Sequence, residues 1–221
     1  MRFLIEFDGP LVDVEPVYSA AYRGAIEQAG WSRIDHDTFW RLFRAKGRQA
    51  DLLPGAKPAK VEAFWADFEA RLDSHAYLSA MTPFDTTRGA VQKLAKDKKI
   101  IVVFLGGNGA ARRAVLEKHG LLEWVNRVEA VPSDPRLRPA ALRNLAAGDK
   151  RTIAVTTSDT LIRAANEAEL VSVGLTCGPC AAPRLHRAGV GVVYASLIEL
   201  VDSLRNGGAE LAIAGLLPQT T

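Results

Sequence analysis

The chain has 221 residues, 48% hydrophobic and 24% charged, with two cysteines and a formal net charge of +3. These values fit a soluble globular protein with one domain, or a core carrying a small insertion, and are too mild to point to nucleic acid. No apolar run approaches the ~18 residues of a membrane span, the N-terminus does not read as a secretory leader, and two cysteines make no disulfide framework, so a cytoplasmic protein is expected.

The first apolar run, FLI (3–5), leads into Glu6 and Asp8 and then Gly-Pro. A buried carboxylate is costly unless paired or neutralised, so two acids at this point predict a strand ending at an open site. Residues 15–80 contain no strand candidate. They carry helical stripes such as Val61, Trp65, Phe68 and Leu72, with turn signals at Gly30 and Pro54-Gly55, and predict an inserted helical bundle. Phe39, Trp40, Phe64 and Trp65 read as its core, and Lys46-Gly47-Arg48 as solvated charge. Further apolar runs at 100–105, 125–131, 152–157, 170–175 and 190–195 alternate with helical segments at 111–120, 139–147 and 160–169. Gly120 reads as a helix stop and Ser196 as a helix start. This pattern predicts an α/β fold, a Rossmann-like parallel sheet with helices on both faces. Ligands of such sheets bind beyond the carboxyl ends of the strands.

Two loops there carry further signals. Gly106, Gly107 and Asn108 lie between a strand and a helix, where converging N–H groups would favour an anion; a tight turn is the plainer reading. Cys177-Gly-Pro-Cys180 spells a thiol redox sequence, but Pro183 is expected to interrupt any immediate helix that would activate the first thiol.

The residues FDGPLVDVEPVYSAAYRGAIEQAG (7–30), TPFDTTRGAVQKLAKDKKIIVVF (82–104), AVLEKHGLLEWV (114–125) and ANEAELVSVGL (165–175) together resemble the haloacid dehalogenase-like superfamily, in its capped phosphatase and phosphomutase branch. The resemblance implies a core of residues 1–14 and 81–205, a helical cap of 15–80 and a C-terminal extension of 206–221. It also implies a phosphoryl-transfer site with a nucleophilic Asp, an acid/base Asp, a Ser or Thr and a Lys on the phosphoryl oxygens, and Mg²⁺.

Matched position by position, the chain departs from that set. Glu6 stands at the nucleophile, and Asp8 at the acid/base. Leu105 replaces the Ser/Thr, Arg136 is the nearest match to the Lys with Arg138 close by, and Thr157 replaces a metal-binding acid. Glutamate carries its carboxylate one methylene further out, and a misplacement of around 1 Å can cost roughly a hundredfold in rate. Leucine offers no donor, and threonine removes a charge that Mg²⁺ would need. Glu6, Asp8 and Asp159 are the residues left for a metal, with Asp159 reached by a shift of two in an extended segment. The leading expectation is a catalytically impaired phosphatase homologue without a resident cofactor, binding a small phosphorylated ligand, an anion at Gly106, Gly107, Asn108 and Arg138, or a protein partner. The alternative is an active hydrolase of a small phosphorylated metabolite, with Glu6 or water attacking, Asp8 as acid/base, Arg136 as phosphate clamp, and Mg²⁺. A third reading is thiol redox chemistry at Cys177 and Cys180.

Overall fold

Six of the apolar runs become β1 (Arg2–Glu6), β4 (Lys99–Leu105), β5 (Arg127–Val131), β6 (Thr152–Thr156), β7 (Val171–Leu175) and β8 (Val192–Tyr194). This is a computed structural model that describes residues 1–146 and 151–207; most of the expected 206–221 extension falls outside the described residues. The strands form one sheet in the order β5-β4-β1-β6-β7-β8, with every neighbouring pair parallel.

Side chains alternate along each strand, which explains why both faces are apolar. Phe3 and Ile5 enter one core with α5 (Thr87–Ala95), α6 (Gly109–Lys118) and α10 (Leu197–Arg205), through Val91, Val115 and Leu200. Leu4 enters a second core with α7 (Arg138–Ala146) and α8 (Asp159–Glu167), through Leu142 and Leu161. Ser196 caps α10 through Glu199 N, and Gly120 follows α6 at φ +62°, both as the sequence predicts.

Residues 15–79 contain four α-helices and no strand: α1 (Glu15–Ala29), α2 (His36–Lys46), α3 (Pro58–Leu72) and α4 (His75–Ser79). A short antiparallel pair, β2 (Val12–Asp13) with β3 (Thr82–Pro83), closes the base of this segment. Two residues per strand leave no periodicity to read, so the pair is invisible in the sequence. Inside the segment, aromatic rings pack edge to face and stacked. Tyr18 meets Phe43 and Phe68 at 5.7 and 5.8 Å, and Tyr22 stacks on Phe39 at 4.2 Å. Phe39, Trp40, Phe64 and Trp65 are all buried there.

Pro183 does not interrupt a helix; it opens one, α9 (Ala182–Arg187). A proline in the first turn loses no helical hydrogen bond, because that N–H has no partner in the helix. This placement lets α9 receive the end of α2. Ala181 N donates to Arg44 O at 3.0 Å, Arg184 Nη1 to Phe43 O at 3.3 Å, and Arg187 Nη2 to Ala45 O at 3.3 Å. The end carbonyls Arg44 O and Ala45 O are thus satisfied by the sheet-bearing part of the chain, and Phe43 O, already bonded to Gly47 N, gains a second donor.

Phe39 has no exposed surface and touches Tyr22 and Phe43. Phe39→Ala should cost about 3–5 kcal/mol of stability, read as a lower urea midpoint with the same m-value. A loss below about 1 kcal/mol would mean the ring cluster collapses freely around the gap.

Candidate active site

The chain leaves β1 toward β4 and β5 on one side and returns through β6 toward β8 on the other. The carboxyl ends of β1, β4 and β6 therefore border the switch point, where a crevice opens. A cleft of about 840 Å³ lies there, between these strand ends and the helical segment. Its walls include Glu6, Asp8, Leu105, Tyr18, Phe68 and Met81.

Glu6 ends β1 and is 4% exposed. Its Oε2 accepts three hydrogen bonds: from Thr156 Oγ1 at 2.6 Å, Thr157 N at 2.8 Å and Thr157 Oγ1 at 3.2 Å. Thr157 Oγ1 also donates to Asp8 O at 2.8 Å. Burial outweighs these donors and pushes the Glu6 carboxyl up from 4.5 to about 7, with the Asp8 charge adding to the shift. The Thr157 side chain fills the space between two glycines. A Cβ on Gly9 or Gly178 would overlap it.

Asp8 faces a cation. Arg112 Nη2 stands 3.6 Å from Asp8 Oδ2, and burial still raises the Asp8 pKa despite this neighbour. Arg112 projects from α6 with its guanidinium 4.8 Å from the Phe104 ring centre and 5.9 Å from that of Phe7. Its Nη1 donates to Asp73 Oδ1 at 2.7 Å. Neither Arg112 nor Asp73 is among the residues expected from the sequence. Arg112 has a readable signal: it stands at i, i+3 and i+4 with the buried Val115 and Leu116, so a charge lies on an apolar face. Asp73 has none, since the contact spans 39 residues.

The other expected site residues separate. Gly106, Gly107 and Asn108 form the turn into α6; Asn108 caps that helix through Ala111 N at 3.0 Å, and its own N–H donates to Asp73. Leu105 and Arg138 line the cleft. The Arg138 guanidinium donates to Pro132 O at 3.1 Å and Ser133 O at 2.5 Å. Arg136 does not reach the cleft: its side chain is 87% exposed and forks onto Asp134, its own near neighbour, through Nη2 at 2.7 Å and Nε at 3.0 Å. The 3₁₀ turn at Pro135–Leu137 sets the two arginines on different sides. Asp159 opens α8 and is held by Arg184, Nε to Oδ2 at 2.9 Å and Nη2 to Oδ1 at 3.0 Å. Lys46, Gly47 and Arg48 border the cleft, and the Lys46 and Arg48 side chains remain about half exposed, as solvated charge. Arg48 pairs with Glu69 and lies 5.7 Å over the Trp65 ring.

Both cysteines are free, and neither begins a helix. Cys177 Sγ donates to Gly9 O at 3.3 Å, and Cys180 Sγ approaches Asp159 Oδ1 at 3.8 Å. Burial pushes both thiols up to about 12, opposite to the shift an attacking thiolate needs.

Mg²⁺ does not fit this donor set. One Glu6 oxygen is taken by three donors, Asp8 faces a guanidinium, and Asp159 is forked by another. Among the described residues no three His, Cys, Asp or Glu side chains converge as a ligand group.

No protein-family model matches this sequence, and no curated protein matches it. Solved structures do resemble the fold. A haloacid dehalogenase-like family hydrolase from Streptococcus pneumoniae is 10% identical with a TM-score of 0.72, covering 92% of this chain and 97% of its own. A predicted phosphatase from Clostridium acetobutylicum is 13% identical with a TM-score of 0.69, covering 93% and 98%. A hydrolase from Pseudomonas syringae is 20% identical with a TM-score of 0.63, over the same shares. At these identities the likeness concerns the fold, and the chain has the haloacid dehalogenase-like fold.

A carboxyl that holds its proton to about pH 7 when folded and loses it near 4.5 when unfolded leaves the native state richer in protons across that window. Stability from this group is complete below the unfolded value and falls as pH rises toward 7. Glu6→Gln should therefore lose less stability than the unaltered protein between pH 5 and 8. Urea midpoints of the two proteins that stay parallel over that range would contradict a buried, proton-holding Glu6.

Proposed function

We propose that this chain is a phosphatase-fold binding protein. It takes a small phosphorylated or otherwise anionic ligand in the cleft between sheet and helical segment, without efficient Mg²⁺-dependent phosphoryl transfer. One observation carries the reading: the carboxylate where the fold keeps its nucleophile is turned into three hydrogen-bond donors and holds a proton near neutrality. A carboxyl that holds a proton and has one oxygen taken by three donors is a weak nucleophile. Leu105 adds an apolar wall where a donor would serve a phosphoryl oxygen. Of the cations that line the cleft, Arg112 and Arg138 are buried, which strengthens their pull on an anion. The apolar wall of Tyr18, Phe43 and Phe68 suits the organic part of such a ligand.

The purified protein should show no Mg²⁺-dependent turnover across a panel of phosphate monoesters, while inorganic phosphate raises its melting temperature. Turnover that requires Mg²⁺ and disappears in Glu6→Ala would establish the active hydrolase instead. No thermal shift with phosphate would remove the anion-binding reading.

A further inference from the structure

Asp73 sits in the corner between α3 and α4, yet its carboxylate is spent on the sheet-bearing part of the chain. Its Oδ1 accepts from Asn108 N at 2.9 Å and from Arg112 Nη1 at 2.7 Å. A Cβ on Gly107 would overlap the same carboxylate, so the turn has no side chain where Asp73 enters. Gly107 also holds φ +72°, which leaves its backbone bare at little steric cost. The Arg112 side chain is only 6% exposed, and its Nε has no hydrogen-bond partner. An open turn, an N–H at the start of α6 and a buried guanidinium with an unused donor form an anion seat that the protein fills with its own carboxylate.

We propose that Asp73 is an internal occupant of this seat, and that the anionic group of the ligand competes with it for Asn108 N and Arg112. The exchange balances in charge: one carboxylate leaves the guanidinium and another anion replaces it. On displacement the corner between α3 and α4 loses its bonds to α6. Occupancy of the seat is thereby coupled to release of that edge of the helical segment. The inference rests on the anion-binding reading above and adds the residue that opposes it.

The test uses inorganic phosphate and the full chain. Removing a competing carboxylate that makes two charge-assisted bonds should tighten binding by roughly tenfold or more, judged from the strength of such bonds. Calorimetric titration should therefore give a lower Kd for Asp73→Asn than for the unaltered protein. Asp73→Asn with Arg112→Gln should lose that gain. Circular dichroism and melting would confirm that each variant is folded, and Asp73→Ser serves if the amide re-forms the contact. In the unaltered protein, phosphate should speed hydrogen exchange of the amides at 73–78; in Asp73→Asn that exchange should start fast and respond little. Equal Kd values with no exchange response would show Asp73 to be a structural tether only, and would overturn this inference while leaving anion binding intact. Absence of phosphate binding in every variant would overturn both.

Discussion

β1 is bonded along its length to β4 on one side and to β6 on the other. Its last residue therefore cannot shift without disturbing two ladders. That double pairing places Glu6 beside the ends of both neighbours and holds it away from water. Phe7 N extends the constraint by donating to Val103 O at 2.8 Å. A carboxyl fixed in such a position has to be neutralised by what surrounds it, because a free buried charge would cost several kcal/mol. The surroundings at the mouth of the sheet follow from this requirement.

Each acid there has a different answer to it. Glu6 is met by Thr156, which ends β6, and by Thr157 after it, and burial raises its pKa. Asp8 and Asp73 share Arg112 through its two terminal nitrogens, and Asp159 is forked by Arg184. Nearly every charge at the cleft is thus compensated from within the chain. A metal ion would have to break one of these pairs and then remain close to a guanidinium. On the anion-binding reading proposed above, an anion would replace Asp73 on Arg112, and the part-exposed Asp73 carboxylate would pass to solvent.

The six strands of the sheet were legible in the sequence because strands covered on both faces are mostly apolar, the central ones nearly throughout. The helical insertion was legible from stripes such as Val61, Trp65 and Phe68. Asp8 and the Gly106-Gly107-Asn108 turn were legible as features at strand ends. The partners of these residues were not. Asp73 and Arg184 come from distant parts of the chain, and no local pattern announces that a side chain will cross a cleft. Arg136 and Arg138 illustrate the limit at short range. Two residues apart, they take opposite surroundings because a single 3₁₀ turn intervenes, and counting positions cannot separate them. Pro183 was misread for a related reason: the same residue that breaks a helix interior is well placed at its first turn.

The ring cluster of the helical segment has a practical side. Of the four tryptophans in the chain, Trp31, Trp40 and Trp65 lie in that segment. The Arg44 guanidinium lies 5.8 Å over Trp40, and that of Arg48 lies 5.7 Å over Trp65, whose indole also adjoins Phe43 and Phe68 on the cleft wall. Indole emission responds to nearby charge and to water, so the native fluorescence of this protein is mostly a report from the helical segment behind one wall of the cleft. The molecule carries its own optical probe, and no label has to be introduced to watch the cleft wall move.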